Sequence, residues 1–293
     1  MAGKRVKSDD DKFQIKKHAK IIYGDNDRIS QLPDDILVDI ISLLSLKKAV
    51  CTSVLSSRWR NLWKQTYRLN LDPHVCLKKG TRQLYESCKV KRQKYVKWVN
   101  SVIRKHKAAI LKDFVIRLRL SVTFQKDVTR WIKFALVRHV QRLELDLTTN
   151  HSSLTNCSLP EEMLTQNMST KSLKVLTLKS FNVTDEEIKF LLSNYPLLEE
   201  LAVDFSPKLL NVEVCGGPSL VLKHFEVTRC YGMNSIKVSA PNLTSLTIQS
   251  CSVFMKSVEV SAPNLTSLTV QKVESLLLEN VPMLVNVSVG STY

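Results

Sequence analysis

Apolar residues first fall into register at helical spacing: Ile36, Leu37, Ile40, Leu43 and Leu44 stand at i, i+1, i+4, i+7 and i+8, the buried stripe of an α-helix. Pro33 suits the first turn of that helix, where its missing N–H would have no partner anyway. Asp34 and Asp35 complement the positive end of the helix dipole. A second short helix is predicted over residues 47 to 55, with Ala49, Val50 and Val54 apolar, and a third carries Trp59, Leu62 and Trp63 at i, i+3 and i+4. Val96, Val99, Val102 and Ile103 predict a further amphipathic helix whose lysines form a solvated face.

Beyond residue 112 the period shortens to two. Alternation of the form L-x-x-L-x-L predicts strands near 114–120, 141–147, 173–178, 200–203, 223–227, 243–248, 265–270 and 284–289. One unit repeats letter for letter: residues 239–247, reading SAPNLTSLT, recur as residues 261–269, a period of 22. Self-similarity at such a period, with one alternating strand per unit, points to a solenoid in which stacked neighbours complete a core that no single unit forms. Helices are expected between the early strands, at residues 127–138 and 185–194. The later units are too short for one and should cross in turns or extended segments. The expected class is α+β, a small helical module followed by a solenoid with one curved parallel sheet.

The helical module spans fewer than fifty residues, a marginal core. Two tryptophans and a leucine stripe exceed what it can hide, which leaves an interface or a subdomain packed on the rest of the chain.

The residues at the front, LPDDIL at 32–37, IISLL at 40–44 and AVCTSVLSSRWRNLW at 49–63, resemble the F-box, in the version carried by plant F-box proteins with leucine-rich repeats and often an FBD tail. Residues 45–48, SLKK, stand where that family usually has a proline before its second helix. The resemblance implies a three-helix F-box over residues 27–72 that docks onto the Skp adaptor of an SCF ubiquitin ligase and, through it, a cullin. It implies that Leu32, Pro33, Ile36, Leu37, Ile40, Val54, Leu55, Trp59, Leu62 and Trp63 face the adaptor or form the module core, two roles that sequence alone does not sort. Around the F-box the division is a disordered basic tail at 1–26, a basic helical connector at 73–112 and irregular leucine-rich repeats at 113–293. The repeats are expected to pack separately from the module and to hold an unknown target protein. The last unit stops at Tyr293 without the polar cap that end repeats usually need, so a short or truncated family member is expected.

Composition narrows the function further. Of 293 residues, 44% are hydrophobic, enough for a sizeable core, and no apolar run approaches the roughly 18 residues of a membrane helix. No membrane partner is expected, and residues 1–20 are polar and basic where a secretory signal would be apolar, so the chain is placed inside the cell, in nucleus or cytoplasm. Seven scattered cysteines then read as buried free thiols.

The net charge of +16 is uneven. Residues 78–112 hold twelve Lys/Arg against Glu86 alone, whereas residues 181–293 hold seven Lys/Arg against eleven Asp/Glu. Such a basic field attracts nucleic acid, anionic lipid or an acidic protein face. The few aromatics interleaved there, Tyr85, Tyr95 and Trp98, make nucleic acid the lesser reading. Phosphate-loop, dinucleotide, nucleophile-elbow and zinc-protease motifs are all absent. The six histidines have no ligand partners at metal spacing, and residues 185–187 (DEE) read as helix caps. No cofactor, metal or catalysis is expected. The function expected is that of a substrate-recognition subunit of a ubiquitin ligase. Its rivals are a ligase-independent interaction scaffold, a basic nucleic-acid-associated protein and, by resemblance to hormone-receptor F-box proteins, a small-molecule pocket on the repeats.

Overall fold

The computed structural model describes residues 28–72, 89–148, 156–165, 172–251 and 255–290. The tail expected at 1–26 and residues 73–88 of the connector lie outside the described residues. Helix α1 (Asp34–Ser42) begins one residue after Pro33, which takes the N-cap position, and buries Leu37 and Ile41. Helix α2 (Leu46–Cys51) starts on Ser45, whose Oγ accepts the Lys48 N–H at 3.5 Å. A serine cap thus supplies the helix start where the resemblance led one to look for proline.

Of the two later helices of the module, one is shorter than predicted and the other is wound more tightly. After Cys51 the chain winds into a 3₁₀ turn at Thr52–Val54, so α2 stops short of residue 55. The third helix is 3₁₀ throughout, over Trp59–Gln65. Its i, i+3 pair of Trp59 and Leu62 suits three residues per turn as well as it suits the α period.

Strand β1 (Arg68–Asn70) follows at once, then helix α3 (Lys89–Lys105), which buries Val96, Val99, Val102 and Ile103 as the pattern required. The early units are β2 (Asp113–Arg117), helix α4 (Gln125–Val137), β3 (Arg142–Asp146), β4 (Cys157–Ser158), β5 (Val175–Lys179), β6 (Phe181–Asn182) and helix α5 (Asp185–Asn194). The later units alternate between two layers: β7 (Glu200–Asp204), β8 (Asn211–Cys215), β9 (His224–Thr228), β10 (Ser235–Ser239), β11 (Ser245–Gln249) and β12 (Met255–Ser261). β13 (Ser267–Gln271), β14 (Val273–Glu279) and β15 (Asn286–Gly290) end the described chain. All eight predicted strands are present.

One nine-stranded parallel sheet runs β1-β2-β3-β5-β7-β9-β11-β13-β15, and a second parallel sheet runs β14-β12-β10-β8. The register stacks like on like. Leu69, Phe114, Leu143, Leu176, Leu201, Phe225, Leu246 and Leu268 form one buried column across the first sheet. Val212, Ile236 and Val258 form the facing column in the second. Too short for helices, the later crossings satisfy their backbone by pairing with one another.

The expectation of separately packed modules is corrected here. β1 belongs to the tail of the F-box segment yet pairs with β2, and the Leu71 N–H continues that ladder to the Val115 carbonyl at 2.8 Å. Arg117 ties the junction, reaching Asp72 at 3.1 Å and Glu144 at 2.7 Å. One hydrophobic core then runs from Leu37 to Val270. The thiol expectation also needs correction. Cys157, Cys230 and Cys251 are buried, but Cys51 and Cys215 are exposed.

Candidate functional site

The ten positions nominated from sequence divide cleanly by exposure. Leu37, Trp59, Leu62 and Trp63 are buried and form the module core, and Leu32 is half-buried against it. Pro33 is exposed at the helix start. Ile36 and Ile40 are exposed on α1, at 40% and 41%, while Val54 and Leu55 stand out at 86% and 54%. Sequence reasoning missed Leu43, the next position along the same helical stripe, which is 70% exposed. The spacing marked the line but not its face: Ile36, Ile40 and Leu43, read from sequence as part of a buried stripe, are exposed, and the core side of α1 is held by Leu37 and Ile41.

A patch of aliphatic side chains this exposed costs solubility unless something covers it. It is also held in shape. The Arg58 guanidinium reaches back to the segment before α1, with Nε donating to Asp34 Oδ1 at 2.7 Å and Nη1 donating to the Ser30 carbonyl at 2.6 Å. Nη2 donates to the Leu32 carbonyl. One arginine therefore fixes the turn that presents Leu32 and Pro33. A charged side chain inside an otherwise apolar motif gave no sign of this in sequence.

The repeats present a second surface. On the open face of the nine-stranded sheet, Thr177, Ala202, Glu226 and Thr247 stand in register between the core columns. Small Ala202 leaves a hollow of about 260 Å³, bordered by Glu200 and His224. The first strands of this face are tied up in ion pairs, Arg117 with Asp72 and Glu144, and Lys179 with Asp146 at 3.7 Å. The last strands carry hydroxyl and amide side chains, among them Ser245, Thr247, Gln249, Ser267, Thr269 and Gln271.

Among the described residues no group of His, Cys, Asp or Glu could hold a metal ion. Burial pushes the Cys157 thiol up to about 11, away from the thiolate a nucleophile needs. Residues 185–187 fill the first turn of α5, where acidic side chains were expected. Thr184 and Glu187 form a capping box, and Asp185 accepts the Leu210 and Asn211 N–H groups at 3.1 and 3.0 Å.

Residues 29–70 match the F-box domain family, and residues 102–291 match the family described as At1g61320/AtMIF1, LRR domain. Among similar proteins of Arabidopsis thaliana, the F-box/LRR-repeat protein At3g26922 is 29% identical over 285 residues, covering 90% of this chain and 82% of its own. The F-box/LRR-repeat protein At1g55660 is 28% identical, covering 80% and 67%. The F-box/FBD/LRR-repeat protein At5g56420 is 29% identical over 77% of this chain but only 50% of its own length. The chain thus spans about half the length of several curated relatives.

Proposed function

The chain belongs to the family of F-box proteins with leucine-rich repeats, and from that premise we propose that it is the substrate-recognition subunit of an SCF-type ubiquitin ligase. Its F-box engages the Skp adaptor and, through it, a cullin, while the repeats hold a target protein, inside the cell in nucleus or cytoplasm. Family members of this kind are non-catalytic adaptors. Catalysis here is positional, since a target held beside a ubiquitin-charged enzyme reacts at a high effective concentration.

The observation that carries the reading is the exposure of five aliphatic side chains, Ile36, Ile40 and Leu43 along α1 and its C-cap and Val54 and Leu55 at the 3₁₀ turn, on a module whose core is already filled by Leu37, Ile41, Trp59 and Leu62. Leu43 and Val54, at 70% and 86% exposure, add little to internal packing, so an interface accounts for them. Among the described residues no helix is long and apolar enough to cross a membrane, so a bilayer-spanning role does not explain them.

Carboxylates at Val54 and Leu55 test it. Both are at least half exposed, so Val54→Asp with Leu55→Asp opens no cavity. Anchors of this kind are typically worth about 2 kcal/mol each, so adaptor affinity should fall roughly a thousandfold. The double variant should lose co-purification of the Skp adaptor and its cullin while its melting temperature stays within a degree or two. Undiminished adaptor capture would sink the ligase reading.

A further inference from the structure

Between α2 and α3 lies a groove of about 520 Å³, within the range, roughly 300–1,000 Å³, in which concave sites take up side chains or small ligands. Its floor is apolar: Val50 and Leu46 from the F-box, Val102 and Trp98 from α3, and Trp63 between them. Val50 and Trp98 remain 40% and 37% exposed although they sit in a concavity. Of the ten positions nominated for the adaptor, only Trp63 touches this groove.

The rim is cationic from both sides. Lys47 stands on α2, and Lys94 and Lys105 stand on α3. Among the described residues none of these three lysines makes an ion pair, and no Asp or Glu lines the groove. Seven of the seventeen residues of α3 are Lys or Arg and none is acidic. An apolar floor inside an unneutralised positive rim matches a partner of the inverse pattern, a large apolar side chain flanked by carboxylates. Nucleic acid matches it less well. The aliphatic floor of Val50 and Val102 offers a base nothing to stack on, and of the three lining aromatics Trp63 and Tyr95 are buried, which leaves Trp98 alone exposed.

We propose that this groove binds a short acidic segment of a partner protein, with one or two large apolar side chains seated over Val50 and Trp98 and its carboxylates against Lys47, Lys94 and Lys105. The site is separate from the aliphatic strip assigned to the adaptor and draws on the connector helix as much as on the F-box.

Calorimetric titration of the full chain tests this with a synthetic decapeptide of glutamate and aspartate that carries a phenylalanine and a leucine one helical turn apart. Control ligands are the same peptide with both apolar residues replaced by alanine, and a single-stranded DNA of similar charge. The apolar-bearing peptide should bind, and affinity should fall about tenfold or more in Lys94→Glu and again in Trp98→Ala. Lys94 is exposed, so its reversal leaves the fold intact should the tryptophan variant prove unstable. Equal binding of the alanine peptide or of the DNA would overturn the proposal in favour of bare charge attraction. Affinity untouched by both variants would overturn it too. Loss of adaptor capture in Lys94→Glu would show one continuous adaptor surface and overturn the assignment of a second occupant.

Discussion

His106 lies where the F-box tail meets α4. Its Nε2 donates to the Thr66 carbonyl at 2.7 Å, its ring meets Phe134 edge-on, and among the described residues its Nδ1 has no partner. Burial, helped by the nearby Arg138 cation and opposed by the Thr66 bond, lowers its pKa to about 4 from 6.5. The unfolded chain therefore binds a proton between about pH 6.5 and pH 4 that the folded chain refuses, and stability must fall as pH drops through that window. From this group alone, the protein should be about 2 kcal/mol less stable at pH 5 than at pH 7. Urea unfolding of the native chain and His106→Asn at both pH values isolates the effect as the difference between their slopes. Equal slopes would mean the ring is hydrated. None of this was legible in sequence, where His106 is one histidine in a run of lysines. Its burial depends on Phe134 and Arg138, some thirty residues downstream.

At the scale of the repeat, sequence was at its most informative, and the structure explains why. In the echoed nine residues, five of the letters shared by the two copies have a physical task that the structure shows. Ala240 and Ala262, with Leu243, Leu246, Leu265 and Leu268, are buried. Asn242 donates to the Pro218 and Leu220 carbonyls, at 3.2 and 2.8 Å, and Asn264 donates to Pro241 at 2.8 Å. The Thr244 and Thr266 hydroxyls bond the preceding unit at Lys223 and Thr244, at 2.9 and 3.0 Å. What the pattern hid is the turn that follows five strands of the long sheet, β5, β7, β9, β11 and β13. Ser180, Phe205, Arg229, Ser250 and Lys272 occupy that place with positive φ, from 52° to 62°. Glycine is the usual residue there, and its absence erased the signal. Arg229 is supported in this conformation by Asp204, which its Nε reaches at 2.8 Å, whereas Ser250 is exposed. Left-handed backbone costs a non-glycine residue roughly 1–2 kcal/mol, and glycine returns about half of that as entropy of the unfolded chain. Ser250→Gly should therefore raise the urea midpoint by an amount worth about 0.5–1 kcal/mol. Ser250→Val should lower it by about 1–2 kcal/mol, because β-branching suits that region least.

Across the whole molecule, sequence revealed the two architectures but not the seam between them. Three residues at 68–70 are too few for an alternation to be read, so β1 passed as the end of the helical module. The seam is nonetheless dense. Beyond the β1–β2 ladder, the Lys107 and Lys112 N–H groups bond the Lys64 and Tyr67 carbonyls, at 2.6 and 2.7 Å, and Leu69 is fully buried at the head of the core column. Solenoid stability is a chain of neighbour-to-neighbour contributions, so damage at one end should weaken the units beside it and fade along the array. Leu69→Ala should cost about 2–4 kcal/mol locally, the usual range for truncating a buried leucine. Amide exchange should then accelerate in β1, β2 and α3 and much less in β11 and β13. At the far end, β15 is already an edge strand in the described chain, with Val287 and Val289 more than half exposed. It should exchange faster than β11 in the native protein and be indifferent to the substitution. Protection lost uniformly from β1 to β13 would mean that the F-box and the repeats unfold as a single cooperative body. Protection unchanged in β2 would mean that the seam contributes nothing. Graded loss is what a sheet shared between module and array requires, and it would make adaptor-side variants in the F-box core, though not those on its exposed strip, felt by the first repeats.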